Sequence, residues 1–165
     1  MKNIQFVISF WALVSFLSFS SACAQSDSPK HDFPMEKSEA EWKEKLSEEQ
    51  YYVLREKGTE KPYTGKFLFH KDKGVYTCAA CGQKLFDSNS KFDSHCGWPS
   101  FDKEISSGKI KTVTDNSLGM SRTEIMCGRC GGHLGHVFND GPTSTGLRYC
   151  VNSLSLSFEK ENPSK

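Results

Sequence analysis

The sequence predicts a mainly β domain, an antiparallel sandwich or barrel with short helices covering its N-terminal end. Beyond Gly65 the chain breaks into short β-rich runs, each bounded by Gly, Asp, Asn or Ser. Two helix-start patterns stand ahead of those runs. Two matched units, Cys78-Ala-Ala-Cys81-Gly82 and Cys127-Gly-Arg-Cys130-Gly131, then sit at the ends of apolar runs.

The first 24 residues stand apart from that domain. Lys2 gives a positive start, and an apolar run from Ile4 to Phe19 follows, interrupted by Gln5, Ser9, Ser15 and Ser18. The small residues Ser20-Ser21-Ala22-Cys23-Ala24 close it. Charge, apolar stretch and small-residue exit are those of a secretory signal, so residues 1–24 are expected to direct export to the periplasm or beyond. The run is short and serine-containing for a membrane span, which takes about 20 mostly apolar residues. Two cleavage sites compete. Ala22-Cys23-Ala24 fits a cut before Gln25, whereas Ser20-Ser21-Ala22-Cys23 is similar to a lipoprotein box that would anchor Cys23 to lipid, with Ser20 where Leu is usual.

Residues 25–37 are polar, contain Pro29 and Pro34, and read as a solvated linker. The domain is expected over 38–165. Ser38-Glu-Ala-Glu41 and Ser47-Glu-Glu-Gln50 are capping boxes that open two helices. Trp42 and Leu46, four apart, share a core-facing side, and Gly58 is a candidate stop for the second helix. Strands are expected at Lys66–Phe69, Val75–Thr77, Lys84–Phe86, Ile110–Val113, Thr123–Met126, His136–Phe138, Leu147–Val151 and Leu154–Phe158. In the last of these Leu154, Leu156 and Phe158 alternate with serines, the pattern of a half-buried strand.

Charge excludes some partners. The 21 Lys+Arg and 20 Asp+Glu become 20 and 20 once the leader takes Lys2 away, so 20 − 20 leaves no net charge. Nucleic-acid and anionic-membrane binders carry a basic excess or stripe, and this chain has neither. Removing the leader from the 165 residues leaves about 140, enough for one domain with a proper core.

Six of the seven cysteines lie beyond the leader. In an exported protein the default would be disulfides. The spacing argues for a closed Cys₄ zinc site formed by Cys78, Cys81, Cys127 and Cys130. Each C-x-x-C-G unit suits a knuckle in which two thiolates converge on a metal while the glycine takes the tight turn. A pair of disulfides is one competing reading, and a thioredoxin-type redox C-x-x-C is another. The latter normally opens a helix, whereas Val75-Tyr-Thr77 and Glu124-Ile-Met126 read as strands entering the knuckles. Ligation by His133 and His136 beside Cys127 and Cys130 would leave Cys78 and Cys81 without a role.

Cys96 and Cys150 remain. Cys96 lies in the turn-rich Ser94-His-Cys-Gly-Trp-Pro-Ser-Phe101, and Cys150 in Arg148-Tyr-Cys-Val-Asn-Ser153, which reads as a strand. From composition alone each could be an inert buried residue or half of a structural disulfide. Arg148 favours a thiolate nearby, and His133 and His136 could shuttle protons to one.

Together the motifs Cys96-Gly-Trp-Pro-Ser-Phe101, Gly132-His-Leu-Gly-His-Val-Phe138, Asp140-Gly-Pro142 and Arg148-Tyr-Cys-Val-Asn-Ser153, flanked by the two knuckles, resemble the methionine-R-sulfoxide reductases of the B type. The likeness runs from about Ser38 to Phe158. It implies two antiparallel sheets with short helices and one structural Zn²⁺. It also implies Cys150 as the nucleophile toward methionine-R-sulfoxide in oxidised proteins, and Cys96 as the thiol that resolves the sulfenic acid. Trp98 is implied as the wall for the substrate's methyl group, with His133, His136, Arg148 and Asn152 as the polar pocket. A thioredoxin-like dithiol would recycle the enzyme. Two rivals are a zinc-ribbon binding module, which leaves Cys96 and Cys150 unexplained, and a disulfide isomerase, which lacks the thioredoxin helix start.

Overall fold

The computed structural model describes residues 32–161. The leader, its cleavage sites and Cys23 lie outside the described residues. Two seven-residue helices, α1 (Glu39–Lys45) and α2 (Glu48–Leu54), precede nine strands: β1 (Gly74–Cys78), β2 (Lys84–Asp87), β3 (Lys91–Phe92), β4 (Ser100–Phe101), β5 (Ile110–Asp115), β6 (Arg122–Cys127), β7 (His133–Phe138), β8 (Arg148–Val151) and β9 (Leu156–Lys160). The strands form a three-stranded sheet, β2-β1-β9, and a six-stranded sheet, β3-β4-β8-β7-β6-β5. All pairings are antiparallel.

Local chemistry sets both helix starts. Ser38 and Ser47 each accept a hydrogen bond from the backbone N–H three residues on, and Glu41 and Gln50 reach back to the cap N–H, so both capping boxes form. Trp42 and Leu46 are both buried. The second helix ends at Leu54, short of Gly58. The left-handed residue past its end is Lys57 (φ 59°), while Gly58 donates its N–H to the Tyr52 carbonyl at 2.9 Å and lies against the Tyr52 ring.

Two expected strands differ. Lys66–Phe69 is a pair of turns: Leu68 N–H bonds to Gly65 O at 3.1 Å, His70 N–H to Phe67 O at 3.4 Å, and Phe69 is 70% exposed. Phe67 donates its N–H to the Ser153 hydroxyl at 3.2 Å, so the run is tied down by turn and side-chain bonds rather than by a strand ladder. The last strand begins at Leu156, because Ser153–Ser155 form a single 3-10 turn. The polar stretch 25–37 is not solvated throughout. Met35 N–H bonds to Arg129 O at 2.8 Å, and the Phe33 ring lies against Gly131 on the second knuckle.

The core lies between the sheets. Phe86 of β2 stacks on Phe101 of β4 with ring centroids 4.2 Å apart, and Tyr76 of β1 meets Phe101 edge-on at 5.0 Å. Leu85, Ile125, Leu134, Val151 and Leu156 complete it, all fully buried.

Candidate active site and metal centre

The four knuckle cysteines converge. Cys78 and Cys127 are the last residues of β1 and β6, one from each sheet, and the four sulfurs all lie within 4.8 Å of one another. Cys78 and Cys130 are 3.8 Å apart and Cys81 and Cys127 3.6 Å. A tetrahedron with metal–sulfur bonds of about 2.3 Å has edges of about 3.8 Å, so the donor set fits a thiophilic ion such as zinc. Disulfide lengths of about 2.05 Å are far shorter. The knuckles repeat one bond pattern: Gly82 N–H to Cys78 O (2.8 Å) and Cys78 N–H to Gln83 O (2.8 Å) in the first, Gly131 N–H to Cys127 O (2.9 Å) and Cys127 N–H to Gly132 O (2.9 Å) in the second. Gly82 and Gly131 sit at φ 74° and 72°, which a side chain would resist. Gln83 Nε2 donates to the Cys127 sulfur at 3.4 Å and to Lys109 O at 2.8 Å, an outer contact that orients the ligand. His133 and His136 are not in this cluster.

The remaining two cysteines meet at the centre of the larger sheet. Cys150 on β8 pairs in register with Ser100 on β4 and His136 on β7, so the three share a row across the strands. Cys96 arrives from the β3–β4 loop, and its sulfur lies 3.3 Å from that of Cys150. Left-handed His95 (φ 54°) and Tyr63 (φ 65°) shape that loop. Tyr63 clamps it from outside, its hydroxyl donating to His95 O at 2.7 Å and its N–H to Gly97 O at 2.8 Å.

The two sulfurs are within hydrogen-bond distance, and their surroundings act on them differently. The hydrogen bond from the Cys150 thiol draws the Cys96 thiol down to about 4 against the opposing effect of burial, with Ser100 and Ser94 hydroxyls adding to the pull. Ser94 Oγ donates to the Cys96 sulfur at 3.0 Å. That same sulfur–sulfur bond, together with burial, pushes the Cys150 thiol up, and Arg148 only partly opposes it. These surroundings favour a thiolate on Cys96 over one on Cys150. Arg148 is engaged elsewhere, in two 2.8 Å bonds to the Asp140 carboxylate, with its guanidinium 4.4 Å over the Phe138 ring.

A cavity of about 120 Å³ opens on Cys150. Trp98, His136 and Asn152 line it, along with Thr59, Arg122, Gly135 and Phe138, which the sequence did not single out. Arg148 and His133 do not line it. His133 is buried, its Nδ1 2.7 Å from the Glu124 carboxylate, which Lys57 also contacts at 2.8 Å. Spaced three apart on a strand, the two histidines would normally face opposite sides. A register shift opposite Ile125/Met126 inserts Leu134 as an extra residue and brings the two rings to 5.7 Å.

Asp115 and Glu60 were invisible in the sequence. Asp115 on β5 holds His136 Nε2 at 2.8 Å and accepts from Arg122 at 2.8 Å. Hydrogen bonds from Ser117, then His136 and Arg122, keep its carboxyl far below the usual carboxylate range. A carboxylate can only accept, so neutral His136 carries its proton on Nε2. Burial lowers the His136 pKa, while Asp115 works in the opposite direction and favours the imidazolium. Glu60 ties the cavity wall together. Its carbonyl accepts from Trp98 Nε1 at 3.1 Å, its N–H donates to Asn152 Oδ1 at 3.1 Å, and its carboxylate accepts from Ser153 and Leu154 N–H at 2.7 and 2.9 Å. A glutamate between Thr59 and Lys61 in a polar loop carries no local mark of that role.

Comparison with known proteins bears on this geometry. The SelR domain family model matches residues 46–160. The peptide methionine sulfoxide reductase MsrB of Methanosarcina barkeri is 58% identical over 131 residues, covering 79% of this chain and 92% of the relative. That of Methanosarcina mazei is 59% identical over 127 residues, covering 77% and 91%. The MsrB of Leptospira interrogans is 55% identical over 130 residues, covering 79% and 99%.

Proposed function

Since the chain belongs to the MsrB family of peptide methionine sulfoxide reductases, with its SelR domain at residues 46–160, we propose that it reduces the R epimer of methionine sulfoxide through Cys150 and Cys96. The observation that carries the assignment of roles is the 3.3 Å sulfur pair, with only Cys150 opening into the cavity walled by Trp98 and His136.

In this scheme the substrate's methyl group packs on the Trp98 ring, as methyl and sulfur groups favour aromatic contact. The sulfoxide oxygen faces His136 and Arg122. Only one epimer can place methyl and oxygen in these separate subsites while presenting sulfur to Cys150. Cys150 passes its proton to Cys96 and attacks the sulfur, and the oxygen is protonated with the help of His136, which Asp115 stabilises as the imidazolium. The protonated oxygen passes to the Cys150 sulfur as the bond between the two sulfurs breaks, so methionine departs and Cys150 is left as a sulfenic acid. Cys96 then attacks that sulfur while the proton it took from Cys150 passes to the departing hydroxyl, so water leaves and the Cys96–Cys150 disulfide forms. Closing from 3.3 Å to about 2.05 Å asks for a shift of about 1 Å, so the loop needs little rearrangement.

The ion assigned to Cys78, Cys81, Cys127 and Cys130 is zinc, which would neutralise the thiolates and cross-link the sheets; four protein ligands leave it no open position. A thioredoxin-like dithiol is assigned as the reductant. Residues 1–24 are assigned as a leader that would direct export, with cleavage before Gln25 or lipidation at Cys23.

The test is turnover of separated R and S epimers of peptide-bound methionine sulfoxide with dithiothreitol. Consumption of R alone is expected, and loss of both epimers, or of neither, would sink the assignment. Asp115→Asn tests the proton path. Without the carboxylate that favours the imidazolium, the His136 pKa falls further, so the kcat/KM profile should move to lower pH and activity at neutral pH should drop by about tenfold. A uniform loss with an unmoved profile would leave Asp115 a purely structural residue.

A further inference from the structure

We propose that the protein dithiol that recycles the enzyme attacks Cys96 rather than Cys150, entering through a second cavity that opens on Cys96. The inference rests on the reading above that the pair is oxidised to a disulfide. The two sulfurs do not share their surroundings. The substrate cavity reaches Cys150 and not Cys96; a separate cavity of about 340 Å³ reaches Cys96 and not Cys150, and the two have no lining residue in common. Phe138 lines the first and Arg148 the second, and because the guanidinium lies 4.4 Å over that ring, the two side chains form a partition.

Thiol–disulfide exchange needs the incoming thiolate roughly in line with the bond that breaks, so the side of approach selects the sulfur attacked. A cavity of about 120 Å³ admits the end of one side chain, not the active-site loop of a folded protein. The larger cavity is bounded by Asp93 and Pro142, both exposed, and Tyr63 beside the Cys96 loop is 62% exposed. That face offers a protein both a thiol target and an accessible rim. The partner it fits is one carrying a C-x-x-C dithiol on a protruding loop.

The exchange balances in two steps. The partner's first thiolate bonds to Cys96 sulfur, the Cys96–Cys150 bond breaks, and Cys150 leaves as a thiolate close to the Arg148 cation. The partner's second thiolate then closes its own disulfide and releases Cys96 as a thiolate, which the Ser94 hydroxyl, 3.0 Å away, stabilises. The two electrons come from the partner dithiol, and Cys150 takes up a proton on its return to the resting state. Each leaving sulfur thus has a group suited to its charge.

The experiment traps the first step. The enzyme is oxidised with excess methionine-R-sulfoxide, the Cys96–Cys150 disulfide is verified by mass spectrometry, and a thioredoxin whose second motif cysteine is serine is added. The mixed disulfide should map to Cys96. A bond at Cys150 would overturn the inference while leaving the proposed function intact, whereas absence of the enzyme disulfide before trapping would overturn both. Pro142→Glu supplies a second measurement. The KM for thioredoxin should rise about tenfold with dithiothreitol-supported turnover unchanged, and an unaltered KM would count against this face.

Discussion

Cys150→Ser is expected to abolish reduction of methionine-R-sulfoxide, with kcat/KM falling on the order of 10³-fold or more, equivalent to about 4 kcal/mol of lost transition-state stabilisation. A hydroxyl is a much harder and weaker nucleophile toward sulfur than a thiolate, and no other thiol of the described residues opens into the substrate cavity. Cys96 cannot substitute without swinging its loop, which Tyr63 clamps by two hydrogen bonds. The variant should fold normally, because Cys150 is a small, half-buried strand residue that serine replaces with little change of volume. Cys96 should lose its depressed pKa in the variant, since the thiol that bonds to it is gone. Titrating the remaining non-zinc thiol with a slow alkylating agent would show that change. Turnover within about tenfold of the parent would move the nucleophile to Cys96.

Stripping the metal should unfold the domain. The knuckles lie at the ends of β1 and β6, so an ion held there would join the three-stranded sheet to the six-stranded one, and three of the four cysteines are buried. Without a cation, four sulfurs within 4.8 Å cannot all ionise: hydrogen bonding among them pushes Cys78 and Cys130 up and draws Cys81 and Cys127 down. Structural zinc contributes about 10–16 kcal/mol of apparent binding energy in small zinc peptides, which matches or exceeds the roughly 5–15 kcal/mol that holds a typical domain together. Purified protein should therefore contain about one zinc per chain, and chelation under reducing conditions should remove its cooperative thermal transition and its activity together. A metal-free protein with the parent transition and full activity would refute the structural role.

Much of the architecture was legible because it is written locally. The capping boxes at Ser38 and Ser47 close with residues three positions away, so sequence spacing defines them. The knuckles were readable for the same reason. Each C-x-x-C-G unit carries its own turn and its own pair of converging thiols. The failures also have local causes. Lys66–Phe69 has strand composition, yet Leu68 N–H closes a turn on Gly65 O and Phe67 N–H goes to the Ser153 hydroxyl. β3 and β4 contain two residues each and show no periodicity, since only their neighbours make them strands.

The site divides along the same line. Residue types and spacing alone make the candidate chemistry readable: two thiols outside the C-x-x-C knuckles, a tryptophan beside one of them, and a histidine pair between the second knuckle and Cys150. How those groups are arranged is visible only in the folded chain. The fold brought Cys96 and Cys150 together across 54 positions, left His133 off the lining of the cavity that opens on Cys150, and committed Arg148 to Asp140. It also recruited Asp115 for His136 and made Glu60 the tie between Trp98 and Asn152. The reason is physical. A residue's type fixes what it can donate, accept or attack, but its charge state and direction depend on groups supplied by distant strands. Sheet register sets which groups those are: one bulge opposite Ile125/Met126 is enough to bring together two histidines that regular strand geometry would face apart.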